Sequence, residues 1–208
     1  MDITLRFYDT NADAFTAGTA QVDFSAVADR FLRKIPEGGS ILDFGCGSGR
    51  DTKYFLEKGY QVTAIDGSKE LCERASAFTG IRVRQMLFQE LSDFEKYDGI
   101  WACASILHVS KDALPDVLMR MYRALKPGGI MYISFKYGTF SGMRSGRYFT
   151  DFTERTFREM LDALPLKETD KRLQLEEQCV SQDVRPGRED EKGLNILLRK
   201  TAAAQNYR

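Results

Sequence analysis

The sequence predicts an α/β fold, a doubly wound, mostly parallel sheet of seven strands that ends in an antiparallel hairpin. Three observations predict it. Between Ser40 and Phe135 short apolar runs alternate with segments whose apolar residues recur at helical spacing, the pattern of parallel strands joined by helices on both faces. The stretch Ile41-Leu42-Asp43-Phe44-Gly45-Cys46-Gly47-Ser48-Gly49-Arg50-Asp51 places a glycine-rich turn between a buried strand and a helix. Near the C-terminus two further apolar runs are joined only by the polar turn Asp183-Val184-Arg185-Pro186-Gly187-Arg188, too short for a crossover, so that pair is antiparallel.

Taken in order, the first 15 residues show no strong periodicity; Phe7, Tyr8 and Phe15 stand among Asp9, Asn11 and Asp13. Residues 22–35 form a helix with Phe24, Val27, Ala28, Phe31, Leu32 and Ile35 on one face, and Pro36-Glu37-Gly38-Gly39 ends it. Ser40–Phe44 is the first strand, 52–58 a helix stopped by Gly59, and 60–65 the second strand, closed by Asp66. Ser68 caps the next helix, whose inner face is Leu71, Cys72 and Ala75. Strands follow at 81–86 and 97–103. Ser110 is positioned to cap the most regular helix of the chain, in which Leu114, Val117, Leu118, Met121, Tyr122 and Leu125 share a face until Lys126-Pro127-Gly128-Gly129 breaks it. The fifth strand is 130–135, a glycine-punctuated loop covers 136–150, and a helix covers 153–164 with Phe157, Met160, Leu161 and Leu164 inward. Strands at 174–181 and 194–199 complete the sheet, and 201–208 reads as a frayed tail.

The glycine turn carries the functional signal. Gly45, Gly47 and Gly49 alternate, where a residue without Cβ lets the backbone turn tightly and approach a ligand. A dinucleotide fingerprint would be GxGxxG, but its third glycine position is Arg50 here, and Asp43 stands two residues before the first glycine. That carboxylate repels a pyrophosphate and attracts a cationic amino-acid group. The resulting DxGxGxG pattern resembles the first motif of class I S-adenosylmethionine-dependent methyltransferases. The resemblance covers nearly the whole chain and is most specific from Ile41 to Phe135. It implies a Rossmann-like sheet of order 3-2-1-4-5-7-6, S-adenosyl-L-methionine as cofactor, and methyl transfer as the activity.

The same resemblance distributes roles. Asp43, Phe44, Gly45, Cys46, Gly47 and Arg50 would surround the methionine part of the cofactor, with Asp43 toward its ammonium. Asp66 would accept the ribose hydroxyls, with Gly67, Ser68 and Leu71 lining the ribose and adenine side. Leu87 and Phe88 occupy the adenine position, where many members carry an acid instead of Leu87; Gln89 or Glu90 could serve in its place. Ala102, Cys103 and Ala104, small residues at the end of the fourth strand, leave room for two reactants. Neither the Asn/Asp-Pro-Pro-Tyr/Phe segment of exocyclic-amine methyltransferases nor the Pro-Cys pair of cytosine methyltransferases is present, so Cys103 reads as a packing residue. His108, the one histidine, is the candidate catalytic base. Tyr8 and Phe15 would belong to an N-terminal cover, residues 1–20, over a cofactor-binding core, 21–135. Residues 136–200 would supply the acceptor side: Lys136, Arg144, Arg147, Arg185 and Arg188, interleaved with Tyr137, Phe140, Tyr148 and Phe149, suit a small acceptor with an anionic group, clamped by Arg147 or Arg185.

Composition narrows the alternatives. The chain has 208 residues, enough for one domain with a proper core, and 30 basic residues balance 30 acidic ones. Zero net charge argues against a broad nucleic-acid footprint. Four scattered cysteines without a CxxC or Cys/His pair give no zinc site. No signal peptide or apolar span stands out, so the expectation is a cytoplasmic protein with reduced thiols. A small-molecule methyltransferase is the favoured reading. Methylation of RNA or protein, an NAD-type oxidoreductase and a non-catalytic cofactor-binding module compete with it. Neither the acceptor nor the oligomeric state is written in the sequence.

Overall fold

A computed structural model describes residues 2–166, 173–185, 187–188 and 190–201. β1 (Ser40–Phe44) is the centre of construction. Its Ile41, Leu42 and Phe44 are all inaccessible to solvent because both faces of the sheet are covered, and alternate side chains go to opposite faces. On one face Ile41 packs with Trp101, Ile130 and Tyr132 against Phe31 and Phe55. These two phenylalanines come from α3 (Ser25–Leu32) and α4 (Arg50–Glu57). The Trp101 and Tyr132 rings stack at 4.0 Å. On the other face Leu42, Phe44, Ile100, Met131 and Ile133 pack against α6 (Leu114–Ala124) and against Phe157 of α7 (Glu154–Asp162).

The remaining strands are β2 (Gln61–Asp66), β3 (Arg84–Gln85), β4 (Tyr97–Ala102), β5 (Leu125–Lys136), the hairpin β6 (Ser141–Arg144) and β7 (Arg147–Thr150), then β8 (Leu173–Gln182) and β9 (Lys192–Lys200). The main sheet has seven strands in the order β3-β2-β1-β4-β5-β9-β8. β9 runs antiparallel to both neighbours and every other pairing is parallel. This is the predicted doubly wound sheet with its terminal hairpin. α5 (Lys69–Thr79) starts where expected: the Ser68 hydroxyl accepts the Leu71 N–H at 3.1 Å.

Four local expectations need correction. The N-terminal segment is helical, as α1 (Ile3–Thr10) and α2 (Ala12–Thr19). These helices bury only Thr4 and Ala12 between them, so no apolar period marks them. The edge strand β3 is only two residues long, Arg84 and Gln85 pairing with Ile65 and Asp66 of β2. Ser110 makes no side-chain cap; its carbonyl accepts the Ala113 and Leu114 N–H groups, and a proline opens α6. The loop 136–150 contains the β6–β7 hairpin, turned at Ser145 and Gly146 with φ of +50° and +76°, the two positive values that a two-residue hairpin turn requires. Of the expected tail, 202–208 lie outside the described residues, as does Pro186 of the terminal turn. Among the described residues no helix is long and apolar enough to cross a membrane.

Candidate active site

The carboxyl ends of β1, β2, β4 and β5 open into a cavity of about 1140 Å³. Its floor is Gly45, whose φ is +86°. A Cβ there would meet the Ser105 Cβ at 2.5 Å and the Phe88 ring at 3.1 Å. The Gly45 and Cys46 N–H groups both donate to the Ile65 carbonyl, at 3.0 and 2.9 Å, which ties the turn to β2. α1 and α2 close over the turn from above. Phe15 stands where a Gly47 Cβ would be 3.0 Å from its ring, and Leu5 where a Gly67 Cβ would be 2.7 Å from its methyl.

Asp66 ends β2 with both oxygens pre-set. One accepts the Gly47 N–H at 2.9 Å and the other the Ser68 N–H at 2.9 Å. Burial pushes its carboxyl upward against those bonds, so further donors from a ligand would be welcome. Asp43 is buried and accepts the Thr52 hydroxyl at 2.6 Å. Burial, and then the nearby Asp51, hold its carboxyl well above the usual carboxylate range. Asp51 is itself fixed by Arg50, at 2.7 and 2.8 Å, and by the Trp101 ring N–H at 2.8 Å. Phe88, expected at the adenine position, packs on Phe44, with ring centres 4.7 Å apart. The Glu90 carboxylate is taken by the Leu87 N–H at 2.7 Å, which leaves Gln89 as the cavity-lining polar residue of that pair. At the end of β4, Ala104 has φ of +48° and donates its N–H to the Ser134 hydroxyl at 2.8 Å. Burial pushes the Cys103 thiol to about 12, so it carries no thiolate at neutral pH.

His108 lies in a 3-10 turn after β4, and both of its ring nitrogens are engaged. Nδ1 is 2.6 Å from the Tyr148 carbonyl of β7, and Nε2 is 2.7 Å from the Tyr8 hydroxyl of α1. Burial is the main reason that its pKa falls to about 4, so the ring is neutral at pH 7. Tyr8 is further held edge-on by Phe15, at 5.1 Å. Arg147 lies over Phe7 at 4.5 Å and donates weakly to the Tyr8 oxygen at 3.4 Å.

The five cations expected on the acceptor side separate cleanly. Arg144 pairs with Asp151 at 3.0 Å, Lys136 with Asp183 at 2.8 Å and also with Glu191, and Arg188 with Glu191 at 3.6 Å. The Arg185 Nε donates to Asp183 at 2.9 Å. Burial disfavours the Asp183 charge, but Arg185 and Lys136 outweigh it and hold that carboxyl well below the usual range. Arg147 has no carboxylate partner among the described residues, and its Nε is buried with no hydrogen bond. Among the aromatics, Tyr137 donates to Glu154 at 3.0 Å, and the Tyr148 hydroxyl meets Ser141 at 2.9 Å.

The cavity thus gathers Tyr8, Phe15, Asp43, Gly45, Cys46 and Gly47 with Arg50, Asp66, Gly67, Leu71, Leu87 and Phe88. Across it stand Cys103, Ala104, His108, Tyr137, Arg147, Tyr148 and Arg185. Phe44, Ser68 and Ala102 are not in its wall; they are buried beneath it. Thr4, Leu5 and Asp9 were not singled out from the sequence. Thr4 accepts the Tyr148 N–H at 3.0 Å, and Asp9 accepts the Ser68 hydroxyl at 2.6 Å. The polar inner face of α1 gave no sequence signal for them.

Comparison with known proteins agrees with this geometry. A family model described as a methyltransferase domain matches residues 41–129. A malonyl-(acyl-carrier protein) O-methyltransferase of Pectobacterium atrosepticum is 30% identical over 165 residues, covering 75% of this chain and 64% of the relative. An N-terminal Xaa-Pro-Lys N-methyltransferase 1 of Rattus norvegicus is 36% identical over 115 residues, covering 50% and 52%. The chain spans about half the length of the curated relatives it matches. Among solved structures, the 1,6-didemethyltoxoflavin-N1-methyltransferase of Burkholderia thailandensis, with bound 1,6-didemethyltoxoflavin and S-adenosylhomocysteine, superposes with a TM-score of 0.71 at 27% identity. That match covers 95% of this chain and 85% of the other. In its sheet order, its glycine turn and its relatives, the chain is similar to the class I S-adenosylmethionine-dependent methyltransferases.

Proposed function

We propose that this protein transfers a methyl group from S-adenosylmethionine to a small-molecule acceptor that carries an anionic group. The residues fit the cofactor. Asp66 keeps free lone pairs on two oxygens that are already oriented, as a ribose diol requires. The glycine floor admits no side chain, and the buried Asp43 regains a counter-charge when an ammonium stands near it. Bound there, the cofactor supplies an activated methyl on a sulfonium, so the protein has chiefly to align two reactants, an effect of about 7–11 kcal/mol at best.

Arg147 carries the acceptor reading. A half-buried guanidinium on aromatic faces, its Nε buried without a hydrogen bond and with no carboxylate partner among the described residues, is open to an anion, and the other four loop cations are already paired. The Burkholderia relative is named for a small acceptor, 1,6-didemethyltoxoflavin, and the Pectobacterium one for malonyl carried on an acyl-carrier protein. The test is incubation with isotopically labelled cofactor and fractionated metabolites, followed by Arg147→Ala on the acceptor found. Losing one charge-assisted contact should raise the acceptor KM roughly ten- to a hundredfold. A neutral or cationic acceptor, or an unchanged KM, would refute the anionic clamp.

A further inference from the structure

We propose that the Tyr8 hydroxyl is the group that meets the acceptor's transferable proton, and that His108 stands behind it to receive Tyr8's own proton. The inference rests on the methyl-transfer reading and assigns a second, distinct role within that site.

The hydrogen-bond directions follow from chemistry. A carbonyl oxygen only accepts, so the Tyr148 carbonyl, 2.6 Å from Nδ1, fixes the proton of the neutral ring on Nδ1. Nε2 is then the lone-pair nitrogen, and the Tyr8 hydroxyl at 2.7 Å must donate to it. This arrangement removes His108 as a direct base, because its only lone pair is covered by Tyr8. It leaves the Tyr8 oxygen, in the cavity wall, with one lone pair toward Arg147 at 3.4 Å and a second for the acceptor. The pair is rigid on both sides: Tyr8 is edge-on to Phe7 at 5.6 Å and to Phe15 at 5.1 Å, and His108 to Phe149 at 4.8 Å.

The proton balance closes within these residues. An acceptor O–H or N–H uses its lone pair to form the new bond to the methyl carbon, and sulfur keeps the pair of the bond it loses. The acceptor's proton passes to the Tyr8 oxygen while the Tyr8 proton passes to Nε2, which converts a neutral His108 to an imidazolium still bonded to the Tyr148 carbonyl. The charged groups around the relay set when it works. Tyr8 feels Arg147, Arg185 and Asp66; His108 feels Arg147, Arg144 and Asp2. Burial first, and then the arginines, oppose the imidazolium in the resting protein. An anion seated on Arg147 offsets one of those cations, so the relay gains strength when an anionic acceptor arrives.

Because the chain has one histidine, imidazole-labelled protein gives a single ring spectrum by nuclear magnetic resonance. In wild type the proton should sit on Nδ1. Tyr8→Phe, which removes the donor that favours the neutral ring, should raise the His108 pKa by roughly a unit from about 4. Benzoate, as an aromatic anion, should raise it in wild type and not in Arg147→Ala. A proton on Nε2 in wild type, a titration indifferent to Tyr8→Phe, or one indifferent to benzoate would each overturn the relay. The first of these needs no variant to fold. Calorimetry with S-adenosylhomocysteine on the same wild-type sample separates the two readings. Absent binding overturns the methyl-transfer reading and the relay with it. Binding together with an indifferent histidine overturns the relay alone.

Discussion

Gly45→Ala isolates how the glycine turn is built, because the fold contains its own control. Gly45 and Gly59 have the same φ, +86°. An added methyl at Gly59 meets nothing within 4 Å, whereas at Gly45 it meets the Ser105 Cβ at 2.5 Å. Gly59→Ala therefore carries only the left-handed backbone penalty, about 1–2 kcal/mol. Gly45→Ala carries the same penalty plus an overlap. Ser105 cannot retreat freely, since it is buried and its hydroxyl donates to the Phe44 carbonyl at 2.6 Å. Overpacking of this kind costs about 1–3 kcal/mol, so Gly45→Ala should be the less stable variant by that margin. Urea unfolding of both proteins measures the difference, and calorimetry with S-adenosylhomocysteine should show binding lost at Gly45 and kept at Gly59. Equal stabilities, or equal affinities, would refute the claim that the floor of the cavity has no room for a side chain.

Other consequences can be measured on the same protein. The His108 pKa is lowered, so its contribution to stability is complete above the ordinary histidine value of about 6.5 and is lost as pH falls through about 4. That loss is about 3 kcal/mol, and it should vanish from the pH dependence of Tm in His108→Asn; parallel Tm curves for the two proteins would contradict it. Leu5→Ala with Phe15→Ala opens the roof above Gly67 and Gly47 and should weaken S-adenosylhomocysteine binding while the sheet stays folded. Unchanged affinity would mean that the N-terminal helices are a strap on the fold and not a cover on the ligand.

Much of this architecture was legible in the sequence, for identifiable reasons. β1 and the cap at Ser68 were readable because buried apolar runs and capping hydroxyls are local signals. The antiparallel terminal pair was readable because a short turn leaves no other choice. α1 and α2 were not, since the faces they turn to the protein are aromatic and polar: Tyr8 meets His108 and Thr4 meets Tyr148, contacts that only the fold creates. The β6–β7 hairpin was hidden by its glycines, although the Ser145-Gly146 pair is a hairpin-turn signal. The acceptor-side arginines show the same limit. Arg147 and Arg185 look equivalent in sequence. They differ because Asp183 occupies one of them, whereas among the described residues the other has aromatic rings and the Tyr8 hydroxyl but no carboxylate.

The measurement closest to the centre of the account is calorimetric titration of wild-type protein and Asp66→Ala with S-adenosylmethionine, S-adenosylhomocysteine and NADH. Wild type should bind both adenosyl ligands at one site and ignore NADH. Asp66→Ala, losing two hydrogen bonds to a charged acceptor at about 1.5–3 kcal/mol each, should bind the adenosyl ligands roughly 10²- to 10⁴-fold more weakly, with the sheet still folded. Tight NADH binding with no response to S-adenosylmethionine, or an Asp66→Ala protein that binds as well as wild type, would contradict it.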